Sequence, residues 1–306
     1  MQWTGVMPAL TTAFDENLNV DHAFVAAHAK WQIENGVTGL VALGSLGEAA
    51  TLTFEERLAI IDTLVATAGK IPVVAAISAL STAEAVTLAK EVAARGAQGL
   101  MILPPYVYKG DWREMKAHVA AILQATPLTA MLYNNPVAYG TDFTPEQIQE
   151  LASEFPNLAA VKESSTDVRR VSAIKALIGD RLAIFVGVDD AIVEGIAAGA
   201  TGWVAGLVNA FPKESVDLFN LASAGETAKA FELYRWFLPL LRMDTVPKFI
   251  QLIKQVQQET GTGIARVRSP RMEVIGAELA ATQTAVAYAQ AHRPAAAVPS
   301  TPFSAR

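Results

Sequence analysis

Eight short apolar runs, each followed by a longer stretch of helical spacing, constrain this 306-residue chain more than any other feature. The runs cover 5–11, 38–43, 71–77, 98–103, 128–133, 158–162, 182–187 and 201–205. They are rich in Val, Ile, Leu and Ala and lack polar alternation, the mark of strands buried on both faces of a parallel sheet. The segments between them open with helix-start signals. Thr53-Phe54-Glu55-Glu56 places a capping residue ahead of two acids, and Ser81-Thr82-Ala83-Glu84 predicts a capping box. Thr144-Pro145-Glu146-Gln147 adds proline at the first helical position. Eight strand–helix pairs is the number that closes an α/β barrel, so the predicted fold is a (β/α)8 TIM barrel. An open, doubly wound sheet has the same local pattern and is the alternative.

A weak repeat favours the barrel. Asn35-Gly36-Val37-Thr38-Gly39-Leu40, Arg95-Gly96-Ala97-Gln98-Gly99-Leu100 and Ala198-Gly199-Ala200-Thr201-Gly202-Trp203 share one grammar. Each ends a helix on a glycine suited to a left-handed cap and then enters a strand. These are the stable ends of the strands, and chemistry is expected at the opposite ends. The barrel is assigned to 1–210. Residues 211–292 are read as the last barrel helix plus a C-terminal helical extension, with helices over 213–223, 225–241, 244–258 and 271–291. Residues 293–306, with three prolines, several alanines and little charge, are expected to be a mobile tail.

Composition narrows the function classes. The chain has no cysteine, which excludes disulfides, thiolate metal sites and cysteine nucleophiles, and fits a reducing cytoplasm. Net charge is −6 with no block of Lys/Arg, so a nucleic-acid partner is not expected. No apolar run approaches the roughly 20 residues of a membrane span. Met1-Gln2-Trp3-Thr4-Gly5 has no basic region ahead of an apolar stretch, so no signal peptide is expected. No histidine pair or carboxylate cluster has metal-ligand spacing, so no metal site is expected.

Four candidates fall at the carboxyl ends of strands. Lys162 closes Leu158-Ala159-Ala160-Val161-Lys162. An amine held among apolar groups loses hydration, its pKa falls, and it can attack a carbonyl, although a lysine at a strand end is more often a solvated terminus. Tyr133 ends the preceding strand, so the two side chains should face one cavity, where a phenol can relay protons; alone it could simply pack the barrel top. Gly44-Ser45-Leu46-Gly47-Glu48 follows the second strand. Its glycines let backbone N–H groups converge on an anion and Ser45 adds a hydroxyl; an ordinary glycine-rich turn is the plain alternative. It lacks the lysine and length of a phosphate loop. Gly187-Val188-Asp189-Asp190 follows the seventh strand, where Asp190 could merely cap a helix.

With G-x-x-G-E at 44–48, Y-N-x-P at 133–136 and V-K-E-S at 161–164 in this order, the chain resembles the dihydrodipicolinate synthase / N-acetylneuraminate lyase family from Trp3 to at least Pro270. The resemblance implies a (β/α)8 barrel with a C-terminal helical segment, usually homotetrameric, using a Schiff-base lysine and no cofactor. It makes Lys162 the imine-forming lysine, Tyr133 the proton-relaying tyrosine, and Gly44, Ser45, Leu46 and Gly47 the pocket for the substrate carboxylate.

Three departures bear on the substrate. The synthases usually have Thr-Thr where this chain has Ser45-Leu46. They carry an arginine shortly after Y-N-x-P, where this chain reads Val137-Ala138-Tyr139-Gly140. Their relay borrows a tyrosine of a neighbouring subunit from P-Y-Y, where Pro105-Tyr106-Val107-Tyr108 has valine and offers Tyr108 as a substitute relay. Y-N-N-P followed by Tyr139, K-E-S-S-T-D-V-R-R at 162–170, and G-V-D-D with G-W-V-A-G at 202–206 look instead like the 1-pyrroline-4-hydroxy-2-carboxylate deaminases. Gly206 is expected as a further substrate contact, and resemblance to the sialic-acid lyases implies that Asp189 or Asp190 hydrogen-bonds the substrate hydroxyl. The expected activity is a Schiff-base hydro-lyase/deaminase acting on a small 2-oxo or cyclic imino acid. The alternatives are 4-hydroxy-tetrahydrodipicolinate synthase and a 2-keto-3-deoxy-sugar-acid aldolase or dehydratase. A binding protein that lost catalysis would lack the lysine or the tyrosine, and both are present.

Overall fold

The computed structural model describes residues 1–106 and 108–304. All eight expected strands form: β1 Gly5–Pro8, β2 Leu40–Ala42, β3 Val73–Ile77, β4 Gly99–Ile102, β5 Thr129–Asn134, β6 Leu158–Glu163, β7 Ala183–Val186 and β8 Gly202–Ala205. Every pairing is parallel, and the order runs β1-β8-β7-β6-β5-β4-β3-β2. The seam between β1 and β2 is closed by the parallel bridge Ala9–Val41, by Leu10 N–H to Val41 O at 2.8 Å and by Thr38 N–H to Val6 O at 2.9 Å. The sheet is therefore a barrel, and the open-sheet alternative is excluded.

Helices α1 His22–Glu34, α2 Phe54–Ala68, α3 Thr82–Ala94, α4 Trp112–Ala125, the single turn α5 Pro136–Tyr139, α6 Pro145–Glu154, α7 Arg169–Ile178, α8 Ile192–Ala197 and α9 Pro212–Ser223 alternate with the strands. The start signals act as their chemistry dictates. Thr53 with Glu56 and Thr144 with Gln147 make full capping boxes. At Ser81 only half forms: its hydroxyl accepts from Glu84 N–H, while the Glu84 carboxylate lies 3.7 Å from Arg57. The repeat glycines Gly36, Gly96 and Gly199 all have φ between 93° and 110°, which L side chains rarely adopt.

The extension consists of α10 Thr227–Leu241, a 3-10 turn over Arg242–Thr245, α11 Phe249–Glu259 and α12 Gly276–Ala291. α11 and α12 begin five residues later than their spacing predicts. The 3-10 turn and Pro247 interrupt one, and an extended segment precedes the other. α11 lies across the carboxyl ends of β1, β2 and β8: Gln257 accepts from Thr11 Oγ1 at 2.8 Å, and Lys254 donates to Thr12 O and Glu48. Residues 293–304, expected from composition to be a mobile tail, lie along α1 and α9. Trp31 Nε1 donates to Thr301 O at 2.6 Å, Arg293 and Ser300 hold Glu214, and Phe303 packs on Phe24 and Trp31.

Candidate active site

The tips of β5 and β6 carry the central pair. Tyr133 and Lys162 are register partners, both buried, and the Lys162 Nζ sits 4.1 Å from the centre of the Tyr133 ring. Strand periodicity sends their chain neighbours the other way. Asn134 and Glu163 face the helix layer. There Asn134 Nδ2 donates to Glu163 at 3.1 Å and to Asp142 at 3.0 Å, Asn134 Oδ1 accepts from Phe143 N–H, and Arg170 donates to Glu163 at 3.3 Å. In Tyr133-Asn134 and Lys162-Glu163 alike, one residue faces the cavity while the next staples the strand tips from behind.

Lys162 makes no hydrogen bond to any described residue. Burial pulls its pKa down to about 8, against the opposing pull of Asp244 and Asp189. Burial likewise pushes the Tyr133 phenol up to about 12, although Asn135 Nδ2 donates to its oxygen at 3.0 Å. At neutral pH the phenol is a proton donor, and a fraction of the amine is free to act as a nucleophile. Lys162 reaches the cavity only because Gly187 lacks a side chain: a β-carbon there would lie 2.6 Å from Lys162 Cε. Beside it, the buried Ser164 hydroxyl lies toward the Tyr133 phenol and favours its ionised form.

The 44–48 loop follows β2. Its backbone kinks at Leu43 (φ 62°) and Glu48 (φ 55°). A β-carbon at Gly47 would lie 2.9 Å from Leu10 O, so the loop cannot accept a larger residue there unchanged. The amides of Ser45, Leu46 and Gly47 donate to no acceptor among the described residues and are available to an anion. Glu48, fully buried, fixes the loop through Lys254 at 2.8 Å. Ser45 Oγ meets Tyr139 OH, the Tyr139 ring stands edge-on to Tyr133 with centroids 5.7 Å apart, and Tyr106 packs on Tyr139 at 5.9 Å. Ser45, Tyr139 and Tyr133 thus form a chain of hydroxyls within a single polypeptide.

Three expected site residues fall elsewhere. Asp189 is 0% exposed and its carboxylate is already occupied, by Trp203 Nε1 at 3.0 Å, Leu207 N–H at 2.7 Å and Gly206 N–H at 3.1 Å. It anchors the tip of β8, and its charge acts on Lys162. Burial raises its carboxyl to about 6 against those hydrogen bonds. Gly206 is committed in the same way, its N–H to Asp189 and its carbonyl to Asn209. Tyr108 is 58% exposed and lies outside its own chain's hydroxyl cluster. Val107 lies outside the described residues. Asp190 does not cap α8; it lies 3.6 Å from Arg242. Trp112 packs on its own barrel, edge-on to Phe143 and bonded to Glu150.

Two functional groups were missed. Asn135 is an ordinary-looking residue of Y-N-N-P, and Asp244 carries no local signal beyond being an acid near the start of a helix. Asp244 belongs to the 3-10 turn of the extension, yet its charge acts on both Lys162 and Tyr133. No cluster of three or more His, Cys, Asp or Glu able to hold a metal occurs among the described residues, and no helix is long and apolar enough to cross a membrane.

Comparison with known proteins agrees with this geometry. Residues 2–289 match the model of the dihydrodipicolinate synthetase family. The chain is 31% identical to the 4-hydroxy-tetrahydrodipicolinate synthase of Agrobacterium fabrum over 94% of its own length and 97% of the relative's. It is 34% identical to that of Pseudoalteromonas atlantica over 76% and 79%. Among solved structures, the 4-hydroxy-tetrahydrodipicolinate synthase of Methylacidiphilum fumariolicum superposes with a TM-score of 0.91 at 26% identity, covering 95% of this chain and 97% of that one. YagE, an E. coli prophage protein of the dihydrodipicolinic acid synthase family in complex with pyruvate, gives 0.89 at 25%, covering 95% and 99%. The chain belongs to the dihydrodipicolinate synthetase family and is an enzyme of the class I aldolase type, a lyase working through a Schiff base on lysine.

Proposed function

We propose that Lys162 is the Schiff-base lysine, that Tyr133 relays its protons, and that the enzyme is a hydro-lyase/deaminase converting 1-pyrroline-4-hydroxy-2-carboxylate to 2-oxoglutarate semialdehyde and ammonia. The observation that carries this reading is the place of Tyr139. In the stretch Val137-Ala138-Tyr139-Gly140, where the resembled synthases carry an arginine for a second carboxylate, Val137 and Ala138 are exposed, and Tyr139 turns inward onto Ser45 and Tyr133. A guanidinium would recognise a second carboxylate; a phenol suits a hydroxylated substrate with one.

The chemistry follows from the geometry. The free amine of Lys162 adds to the ring C=N, and cleavage of the ring C2–N bond leaves a primary amine on C5 and an iminium at C2. The 44–47 loop and Ser45 hold the C1 carboxylate. The iminium acidifies C3–H; the enamine then expels the C4 hydroxyl as water, with Tyr133 moving the protons. Tautomerisation places an imine at C5. Its hydrolysis releases ammonia, and hydrolysis of the lysine imine frees the product. One water is consumed overall.

The second reading, condensation by a synthase, is favoured by the names of the relatives and by Lys109, whose Cε lies 3.2 Å from the place a β-carbon on Gly140 would take. A panel assay separates the readings: ammonia from the hydroxypyrroline carboxylate supports the deaminase, consumption of pyruvate with aspartate semialdehyde supports the synthase, and pyruvate from a 2-keto-3-deoxy acid supports an aldolase. Absence of ammonia from an active preparation defeats the first. Assembly as a homo-oligomer and residence in the cytoplasm belong to this proposal as expectations of the resemblance. A fold neighbour described as a monomeric variant makes the assembly state a separate measurement.

A further inference from the structure

An acid reaches the barrel mouth from outside the barrel. Asp244 lies in the turn Arg242–Thr245 between α10 and α11. Its neighbours in that turn are committed, Arg242 to Asp190 at 3.6 Å and Thr245 Oγ1 to Arg242 O at 2.9 Å. The carboxylate of Asp244 has no hydrogen bond or ion pair among the described residues, although the residue is half-buried. It is pressed against the tip of β8: its Cγ lies 2.6 Å from where a β-carbon on Gly206 would be, so any side chain at 206 would displace it.

The barrel order gives the direction. β2, which carries the carboxylate-binding loop, lies opposite β6 with its lysine, and β8 is a quarter-turn from each. A substrate whose carboxylate sits on the loop and whose C2 sits on Lys162 has its remaining carbons free to turn toward β8 and Asp244. A partly buried carboxylate without a donor is costly, and a bound molecule carrying an O–H or N–H would offset that cost. Burial and the neighbouring Asp189 raise the Asp244 carboxyl well above the usual carboxylate range, with Lys162 opposing. In its ionised form that acid repels a second carboxylate but accepts from an O–H or N–H.

We propose that Asp244, supplied by the C-terminal extension, receives the distal hydroxyl or amine of the substrate and so selects it over a second carboxylate. This rests on the reading of Lys162 as the Schiff-base lysine. The test is borohydride trapping on the peptide containing Lys162, using three acids with the same number of carbons: 5-hydroxy-2-oxopentanoate, 2-oxopentanoate and 2-oxoglutarate. The wild type should reach half-saturation at about tenfold lower concentration with the hydroxy acid than with 2-oxopentanoate, as one hydrogen bond to a charged or strongly polar partner provides, and at the highest concentration with 2-oxoglutarate. Asp244→Ala should bring the three values together, and Asp244→Asn should restore part of the hydroxyl preference. Persistence of the wild-type order in Asp244→Ala overturns the proposal. A proportional loss with all three acids also overturns it, since Asp244 would then act only as a counter-charge to Lys162. No adduct with any acid on the wild type ends the Schiff-base reading and this inference together. A hydroxyl preference without ammonia release ends only the deaminase reading.

Discussion

Two lysines are buried among the described residues, and they differ in what surrounds them. Lys254 on α11 is 1% exposed; it donates to Glu48 at 2.8 Å and to Thr12 O at 2.9 Å, and lies 4.6 Å from the centre of the Phe14 ring. Lys162 on β6 is 6% exposed and has a ring face beside it, two acids within electrostatic reach and no acceptor. Burial lowers both pKa values. The difference lies in satisfaction: a buried ammonium whose donors are used is a rivet, and one whose donors are idle is a reagent.

That contrast can be broken in order of effect. Lys162→Ala should lower turnover by on the order of 10⁴-fold or more, as loss of a covalent nucleophile does, while the unfolding midpoint stays close to wild type. Collapse of the fold would show that the side chain packs rather than reacts. Next, Tyr133→Phe should lose about 10²–10⁴ in kcat with substrate binding retained; near-normal kcat in steady-state assays would remove the phenol from the relay. Lys254→Met should do the reverse of the first variant. Glu48, left buried with only Arg268 N–H at 3.1 Å and Arg271 at 3.9 Å, should cost somewhat less than the roughly 3–5 kcal/mol of a fully broken buried pair in denaturant unfolding, and a companion Glu48→Leu should recover most of it. A silent Lys254→Met would reduce the ion pair to ornament.

The smallest effect is the pH profile. The reactive form is the free amine, present above a pKa lowered from 10.5 to about 8 and lost as pH falls through it. The rate of imine formation with pyruvate should therefore rise with pH around 8 and then level. A midpoint near the ordinary lysine value would place Lys162 in the same category as any solvated amine.

The strands were legible because their signal is local. An apolar run of six residues bounded by a glycine stop reads the same in any context, and all eight were found. The juxtaposition of Lys162 and Tyr133 was legible for the same reason: each stands one residue before the end of its strand, and strand periodicity turns both to one side. Helix starts were legible where a hydroxyl and an acid sit three residues apart, as at Thr53 and Glu56, and not where a 3-10 turn replaces the first helical turn, as before α11. The partners of Asp189 were not legible, because an acid at a strand tip looks the same whether or not it accepts from Trp203 and Leu207, donors fourteen and eighteen residues away.

From the order of residues alone came the barrel, its strand count, and the amine and phenol on adjacent tips, since periodicity and capping act over a few residues at a time. The pairing of Glu48 with Lys254 across 206 positions, the inward turn of Tyr139 onto Ser45, and the approach of Asp244 to β8 were decided only when the extension folded back over the barrel mouth. Such contacts depend on where distant segments meet, and no short-range spacing encodes that.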